Sequence, residues 1–320
     1  MTLYGFTHYR LPRRRLFSYL PHPFLSVFTK QRSLSDHVSY WYRPHLSNDH
    51  IPVLFIHGIG IGLHTYLGFS NQYVQNMPNV GIISMEIPAI SSRISQPILH
   101  GSAMAQEVLQ IVKSHGWDRF ILATHSYGSV VGTHLLHDPA VAPMIDHLLF
   151  VDPVAFSFHT PNVAYNFLRR EPRTASEIQL QYFASMDPDV ARALTRSFIV
   201  PENMLWREEV EGRTSANGRR RLKTTVVVCG EDIITDTVHL GRYLTRRQRM
   251  GEKWYHEEGE ADDGWMRWEW TGQKDLEVVW FPELNHAECF NNAGHRQVLV
   301  DILGVYSKDT KEAQAAHSRS

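Results

Sequence analysis

Five polar residues of the types that carry acyl-transfer chemistry each lie just beyond a short apolar run. His57 follows residues 52–56 (PVLFI), Ser126 follows 120–123, Asp152 follows 148–151, Asp232 follows 225–228 and His286 follows 276–280. Ser126 lies inside Thr124-His125-Ser126-Tyr127-Gly128. A serine hydroxyl is a poor nucleophile at neutral pH. It needs an imidazole to take its proton, a carboxylate to orient that imidazole and N–H donors for the oxyanion. A tight strand-to-helix turn presents such a serine, and small residues on both sides let strand and helix cross closely, in the pattern G-x-S-x-G. Gly128 fits that pattern. Thr124 replaces the first glycine, a departure that weakens the five residues taken alone. The apolar run before them and the helical pattern at 130–136 after them make Ser126 the expected nucleophile.

With 19 histidines in the chain, position has to single one out. His286 stands just beyond the last apolar run. His57 and His125 are expected to brace the backbone beside the site. Neither has metal-like spacing to another ligand, and no metal or cofactor is expected.

The elements that position these residues alternate. Continuous apolar runs at 38–42, 52–56, 80–85, 120–123, 148–151, 225–228 and 276–280 read as strands, most of them buried on both faces. Residues 102–115 read as a helix, because Met104, Val108, Ile111 and Val112 recur at helical spacing and Gly116 closes the pattern. A C-terminal helix carries Leu299, Ile302, Leu303 and Tyr306 on one face. Strands alternating with helices imply an α/β protein with a mostly parallel central sheet and helices on both faces. In such sheets ligands bind outside the carboxyl ends of the strands, where the five polar residues fall.

Two stretches break the alternation. Residues 153–223, with helical-looking pieces at 176–186 and 189–198, read as an inserted, mainly helical lid. Phe156, Phe158, Phe167, Tyr182, Phe183, Leu205 and Trp206 lie in it, and some of them should line an apolar pocket. Residues 248–273 read as a structural surface insertion with an acidic run at 257–263 and four tryptophans. The spacing of Trp268 and Trp270 suggests a strand in a hairpin. The division expected is an N-terminal arm (1–35), a core (36–152 and 224–307) and a polar tail (308–320).

The 320 residues suit one domain with an elaboration. A formal net charge of −1 gives no reason to expect a nucleic-acid partner. Two cysteines, Cys229 and Cys289, argue against a secreted disulfide framework, and an intracellular, cytoplasmic setting is expected. Residues 16–28 (LFSYLPHPFLSVF) follow Arg13, Arg14 and Arg15, but they are too short to span a bilayer as a helix and are interrupted by Pro21 and Pro23. They read as a packed arm, with peripheral membrane contact left open. Oligomeric state is not readable.

The arrangement resembles the α/β-hydrolase superfamily from about residue 38 to 306. The carriers are His57-Gly58, the turn at Ser126, Gly230-Glu231-Asp232, Asn285-His286-Ala287-Glu288 and the order Ser, acid, His along the chain. RLPRRRLFSYL, SYWYRP, THSYGS and LNHAECF are similar, more narrowly, to a group of largely uncharacterised fungal α/β hydrolases, which implies no substrate. The resemblance implies that Ser126 is the nucleophile and His286 the base and then the acid. It places the oxyanion at the backbone N–H groups of Ile59 and Tyr127. Asp232 takes the usual place of the orienting acid, and Asp152 is the alternative. The expected function is a serine hydrolase cleaving an ester or thioester with a hydrophobic part, through an acyl-enzyme. The small-molecule substrate is the expected partner. A serine at the turn argues against the epoxide hydrolases and haloalkane dehalogenases of the same fold, which use aspartate. Acyltransferases, lyases, cyclising enzymes and a non-catalytic binding protein remain as alternatives.

Overall fold

The computed structural model describes residues 4–12, 31–214, 221–245 and 263–308. The basic cluster at 13–15, the apolar segment at 16–28, most of the acidic run at 257–263 and the tail after 308 lie outside the described residues.

Eight strands form one sheet in the order β1-β2-β4-β3-β5-β6-β7-β8. They are β1 (Thr7–Tyr9), β2 (Ser39–Arg43), β3 (Val53–Ile56), β4 (Ile82–Glu86), β5 (Phe120–His125), β6 (Ile145–Val151), β7 (Lys223–Cys229) and β8 (Leu276–Phe281). β1 and β2, and β2 and β4, pair antiparallel, and all other pairs are parallel. The central strands are buried on both faces, which is why they read as unbroken apolar runs. Alternate residues serve opposite layers. Leu54, Ile56, Leu122, Phe150 and Val226 face one core cluster. Val53, Phe55, Ile121, Leu149 and Val227 face the other. Each fully buried aliphatic or phenyl side chain contributes roughly 1.5–3 kcal/mol of burial free energy.

The first cluster is covered by α2 (Gly101–Ser114), α3 (Gly128–His137) and α8 (Thr237–Thr245), and the second by α1 (Leu67–Asn76) and α9 (Ala293–Ser307). α2 ends in a paired cap: Gly116, at φ +73°, donates to the Lys113 carbonyl, and Trp117 donates to that of Val112.

Between β6 and β7 the chain makes α4 (Asn162–Leu168), α5 (Ala175–Leu180), a π-helical turn (Gln181–Ser185), α6 (Pro188–Arg196) and α7 (Val200–Asn203). Local chemistry starts two of these. The Thr174 hydroxyl and Glu177 carboxylate cap α5 reciprocally, and the Asp187 carboxylate accepts from the N–H groups of Asp189 and Val190 ahead of α6.

Two expectations need correcting. Residues 268–270 form no strand. Asp263–Arg267 is a short 3-10 helix, and it drives the Trp265 ring against Gly241 of α8, where a Cβ would meet the indole at 2.0 Å. Trp270 donates to the Thr225 hydroxyl at 2.9 Å, while Trp268 is exposed under the Lys274 ammonium. The tryptophans are spaced by separate packing sites, not by a pleat. The arm before residue 36 is also not wholly separate from the core, because β1 extends the sheet. His8 stacks on Trp41 and Tyr9 on Tyr40, with ring centroids 4.5 and 4.7 Å apart.

Candidate active site

The loop after each of β3, β5, β6, β7 and β8 carries one of the five polar residues, all at the same edge of the sheet. Ser126 has φ +51°, a left-handed angle that costs a residue with a Cβ, and it is held there by its N–H bond to the Val151 carbonyl at 2.9 Å. Two glycines make room for the turn. A Cβ on Gly128 would lie 2.4 Å from the Ile56 carbonyl oxygen, and one on Gly58 would lie 2.7 Å from the Ser126 Cβ. Thr124, the departure from the usual pattern, is a fully buried residue of β5. Its methyl lies 3.3 Å from where a Cβ on Gly132 of α3 would be. The glycine that relieves the strand–helix crossing is therefore supplied one turn into α3 instead of at the strand.

His286 lies between Ser126 and Asp232. Its Nε2 is 2.9 Å from the Ser126 Oγ, and its Nδ1 is 2.6 Å from the Asp232 Oδ2. The other oxygen of Asp232 accepts from the N–H groups of Ile234 and Thr235. With an acidic oxygen facing Nδ1, the ring proton belongs there and Nε2 is free to accept from the hydroxyl. Burial works against the imidazolium, but Asp232, followed by Asp152, outweighs it and raises the His286 pKa above the ordinary value. Asp152 also reaches the site, yet its carboxylate accepts backbone N–H groups, from Cys229 and from Ala287, both at 2.9 Å. Desolvation, with Asp232 adding to it, raises its pKa to about 6.

Ile59 and Tyr127 line the cavity at Ser126, and no described residue accepts from the backbone N–H of either. The loop bearing Ile59 is braced from several sides. His57 Nδ1 donates to the Gly58 carbonyl at 2.5 Å, and its Nε2 accepts from Ile87 N–H at 3.0 Å. Burial lowers the His57 pKa and keeps the ring neutral, as both bonds require. Gly58 N–H donates to the Tyr66 hydroxyl at 3.1 Å, and that hydroxyl is 2.7 Å from His125 Nδ1. Glu86 and Arg93 form a buried ion pair where a Cβ on Gly62 would collide with the Glu86 carboxylate. Tyr66 and the Glu86–Arg93 pair carry no sequence signal that links them to the site.

A cavity of about 290 Å³ opens at Ser126, walled by Val154, Phe158, Val163, Phe167, Phe198 and Ile234 among others. Of the aromatic and aliphatic residues singled out from the insertion, Phe158 and Phe167 line it. Phe156 and Leu205 are buried in the core, and Tyr182, Phe183 and Trp206 are exposed. A larger cavity of about 700 Å³, between α8 and β8 and bordered by Arg207, Lys274 and Glu277, includes none of the five strand-end residues.

Among the described residues, two groups of donor atoms are close enough to hold a metal ion: Asp152 with Cys229 and Cys289, and Asp152 with Asp232 and His286. In both, the Asp152 oxygens already accept backbone N–H bonds, and in the second both imidazole nitrogens are engaged. No helix among the described residues is long and apolar enough to cross a membrane.

No protein-family model and no curated protein matches the sequence. Solved structures do match the fold. A membrane phospholipase A described as a bacterial virulence factor superposes with a TM-score of 0.52 at 12% identity, covering 95% of this chain and 88% of its own. A thermophilic esterase from Thermogutta terrifontis gives 0.52 at 13% identity, covering 84% and 94%. A carboxylesterase from Bacillus subtilis gives 0.50 at 10% identity, covering 84% and 89%. At such identities the likeness speaks to architecture and not to substrate. The sheet order, the strained serine turn after β5 and these superpositions lead to one structural conclusion: the chain has the α/β-hydrolase fold.

Proposed function

We propose that this chain is a serine hydrolase that cleaves an ester or thioester with a hydrophobic part through an acyl-enzyme. The observation that carries this reading is the continuous contact from Asp232 through His286 to Ser126, at 2.6 and 2.9 Å, at the mouth of an apolar cavity. His286 Nε2 takes the hydroxyl proton as Ser126 Oγ attacks the substrate carbonyl. The Ile59 and Tyr127 N–H groups receive the oxyanion of the tetrahedral intermediate. As that intermediate collapses, His286 gives its proton to the leaving alkoxide or thiolate. A water then repeats the sequence on the acyl-enzyme, with His286 again as base, and releases the acid. Asp232 orients the ring and stabilises the imidazolium. The esterases and the phospholipase that share the fold support ester chemistry, and the apolar walls support a substrate with a hydrocarbon part. The role of residues 153–223 as a lid and the narrower fungal resemblance belong to the same proposal.

Thr124 does not favour a non-catalytic reading, because Gly132 supplies the space that the missing glycine would have given. The test is labelling with a fluorophosphonate probe, which reacts only with an activated serine. Labelling of the wild type at Ser126, and none of Ser126→Ala, is expected. A wild-type chain that stays unlabelled while folded would refute the proposal. Product analysis on a labelled, active chain separates water from any other acyl acceptor.

A further inference from the structure

Asp152 has no part in the reaction above, yet it is bound more tightly into the site than a strand exit requires. It leaves β6 at φ +43°, and its own N–H bonds the Val227 carbonyl at 2.9 Å. Its carboxylate joins two separate elements. Oδ1 accepts from Cys229, the last residue of β7, and Oδ2 accepts from Ala287, the residue after His286. Ala287 is itself at φ +68°, so the backbone turn that carries His286 is a strained one. An N–H bond to a buried carboxylate is among the stronger ways to hold such a turn.

A buried imidazole faces the same group. The Tyr66 hydroxyl accepts from Gly58 and lies 2.7 Å from His125 Nδ1, which fixes the imidazole in place with its Nε2 turned to Asp152. That Nε2 is 3.9 Å from the Asp152 Oδ2. Burial first, then His286 and His57, keep the His125 pKa far below its ordinary value, so it faces Asp152 as a neutral dipole. The titratable side chains facing His286 are thus Asp232 after β7, Asp152 after β6 and His125 on β5. The Cys229 and Cys289 thiols beside Asp152 are both free and both pushed up, Cys229 by its hydrogen bond with the Cys289 thiol and then by burial, and Cys289 chiefly by burial.

Resting on the hydrolase reading, we propose that Asp152 is a positioning residue for His286: it holds the left-handed turn at Ala287 so that Nε2 stays on the Ser126 hydroxyl, and it adds a second buried anion beside the imidazolium. It is not a spare orienting acid. Both oxygens are taken by amides from different elements, and to reach Nδ1 the carboxylate would have to release Ala287. An asparagine cannot replace it, because one amide oxygen can serve one N–H while the amide nitrogen would confront the other. His286 therefore lies between two carboxylates, of which one touches the ring and the other holds its backbone.

The test compares wild type, Asp152→Asn and Cys289→Ala, a change in the same buried pocket that removes no charge. One readout is the NMR titration of the His286 ring. The other is kcat and KM for p-nitrophenyl butyrate against pH, well below the melting temperature. In Asp152→Asn, His286 and the acid limb of kcat/KM should both move down by about one pH unit, the size of a nearby-charge effect. kcat should fall about tenfold while KM stays within about twofold, as when an interaction of the transition state alone is removed. Cys289→Ala should move neither midpoint. If Asp152→Asn fails to fold, Asp152→Ser removes the same charge with a smaller group and is read in the same way. A folded variant in which His286 titrates as in wild type overturns the proposal. So does a Cys289→Ala variant whose midpoints shift as far. A wild-type chain without esterase activity refutes the hydrolase reading instead, and the His286 titration still decides the place of Asp152.

Discussion

Asp232 and Asp152 lie on either side of one imidazole, and their different contacts predict different penalties. Asp232→Asn removes the carboxylate that touches His286 Nδ1 and presents an amide that can fix the wrong tautomer, so kcat should fall by about 10³–10⁴. That is far beyond the fall expected at Asp152. Single-turnover and steady-state rates on a small nitrophenyl ester check the order; the reverse order would move the orienting role to Asp152. The pH profile follows from the same charges. In the proposed reaction His286 must be neutral to accept the serine proton, and the two carboxylates hold its own proton on more tightly. The acid limb of kcat/KM should therefore have its midpoint above 6.5, the ordinary imidazole value, with activity declining as pH falls through it. The linked stability has the opposite sense. The charged ring adds stability that is fully present below the unfolded pKa and is lost as pH rises through the raised one.

At the scale of elements, the strand–helix crossing at Ser126 depends on two glycines and tolerates one threonine. Gly128→Ala would set a methyl 2.4 Å from a backbone oxygen that cannot move aside. It should destabilise by about 3 kcal/mol or more, or prevent folding, as severe backbone clashes do. Thr124→Gly restores the usual glycine yet should cost about 1–2 kcal/mol, through poorer packing and a freer unfolded chain, with kcat little changed. Chemical denaturation checks both. This crossing also shows what the sequence makes legible. Strands buried on both faces announce themselves as apolar runs, so most of the sheet and the strand-end placing of Ser126, Asp232 and His286 can be read directly. β1 cannot, because Thr7, His8 and Tyr9 are too few to show a period. α1 is missed for a related reason: LGFSNQYVQN buries Phe69, Ser70 and Tyr73 and little else. The tie from Asp152 to Cys229 and Ala287 spans 77 and 135 residues of sequence, and no local pattern reports it.

For the whole molecule, the insertion between β6 and β7 supplies most of the cavity wall while the core supplies the proposed reactive groups. Phe158, Val163, Phe167 and Phe198 come from the insertion; Ser126, Ile59 and Tyr127 do not. Replacing residues 159–203 with a short loop should raise KM for long-chain esters about tenfold or more, because each methylene held in an apolar pocket is worth about 1–3 kcal/mol. Nitrophenyl acetate, which needs only the core groups, should be affected far less. Comparing kcat/KM across chain lengths, with the fold checked by circular dichroism, tests the division. An unchanged chain-length profile would assign substrate choice elsewhere.

The sheet order bears on when the proposed reactive groups come together as the protein is made. Ser126 and His286, the proposed nucleophile and base, are 160 residues apart in sequence, and His286 follows β8, the last of the described strands and an outermost one in the sheet. Contacts that close such long loops form late, after the local helices and the central strands have condensed. A ribosome-bound chain ending before residue 276 can build the strained serine turn but lacks the proposed base. Fluorophosphonate labelling should then report completion of the fold. During refolding it should rise with the slowest phase, after the far-ultraviolet circular dichroism signal has largely recovered. Labelling that keeps pace with the circular dichroism signal would mean that β8 docks early and that the reactive centre is assembled from the outset.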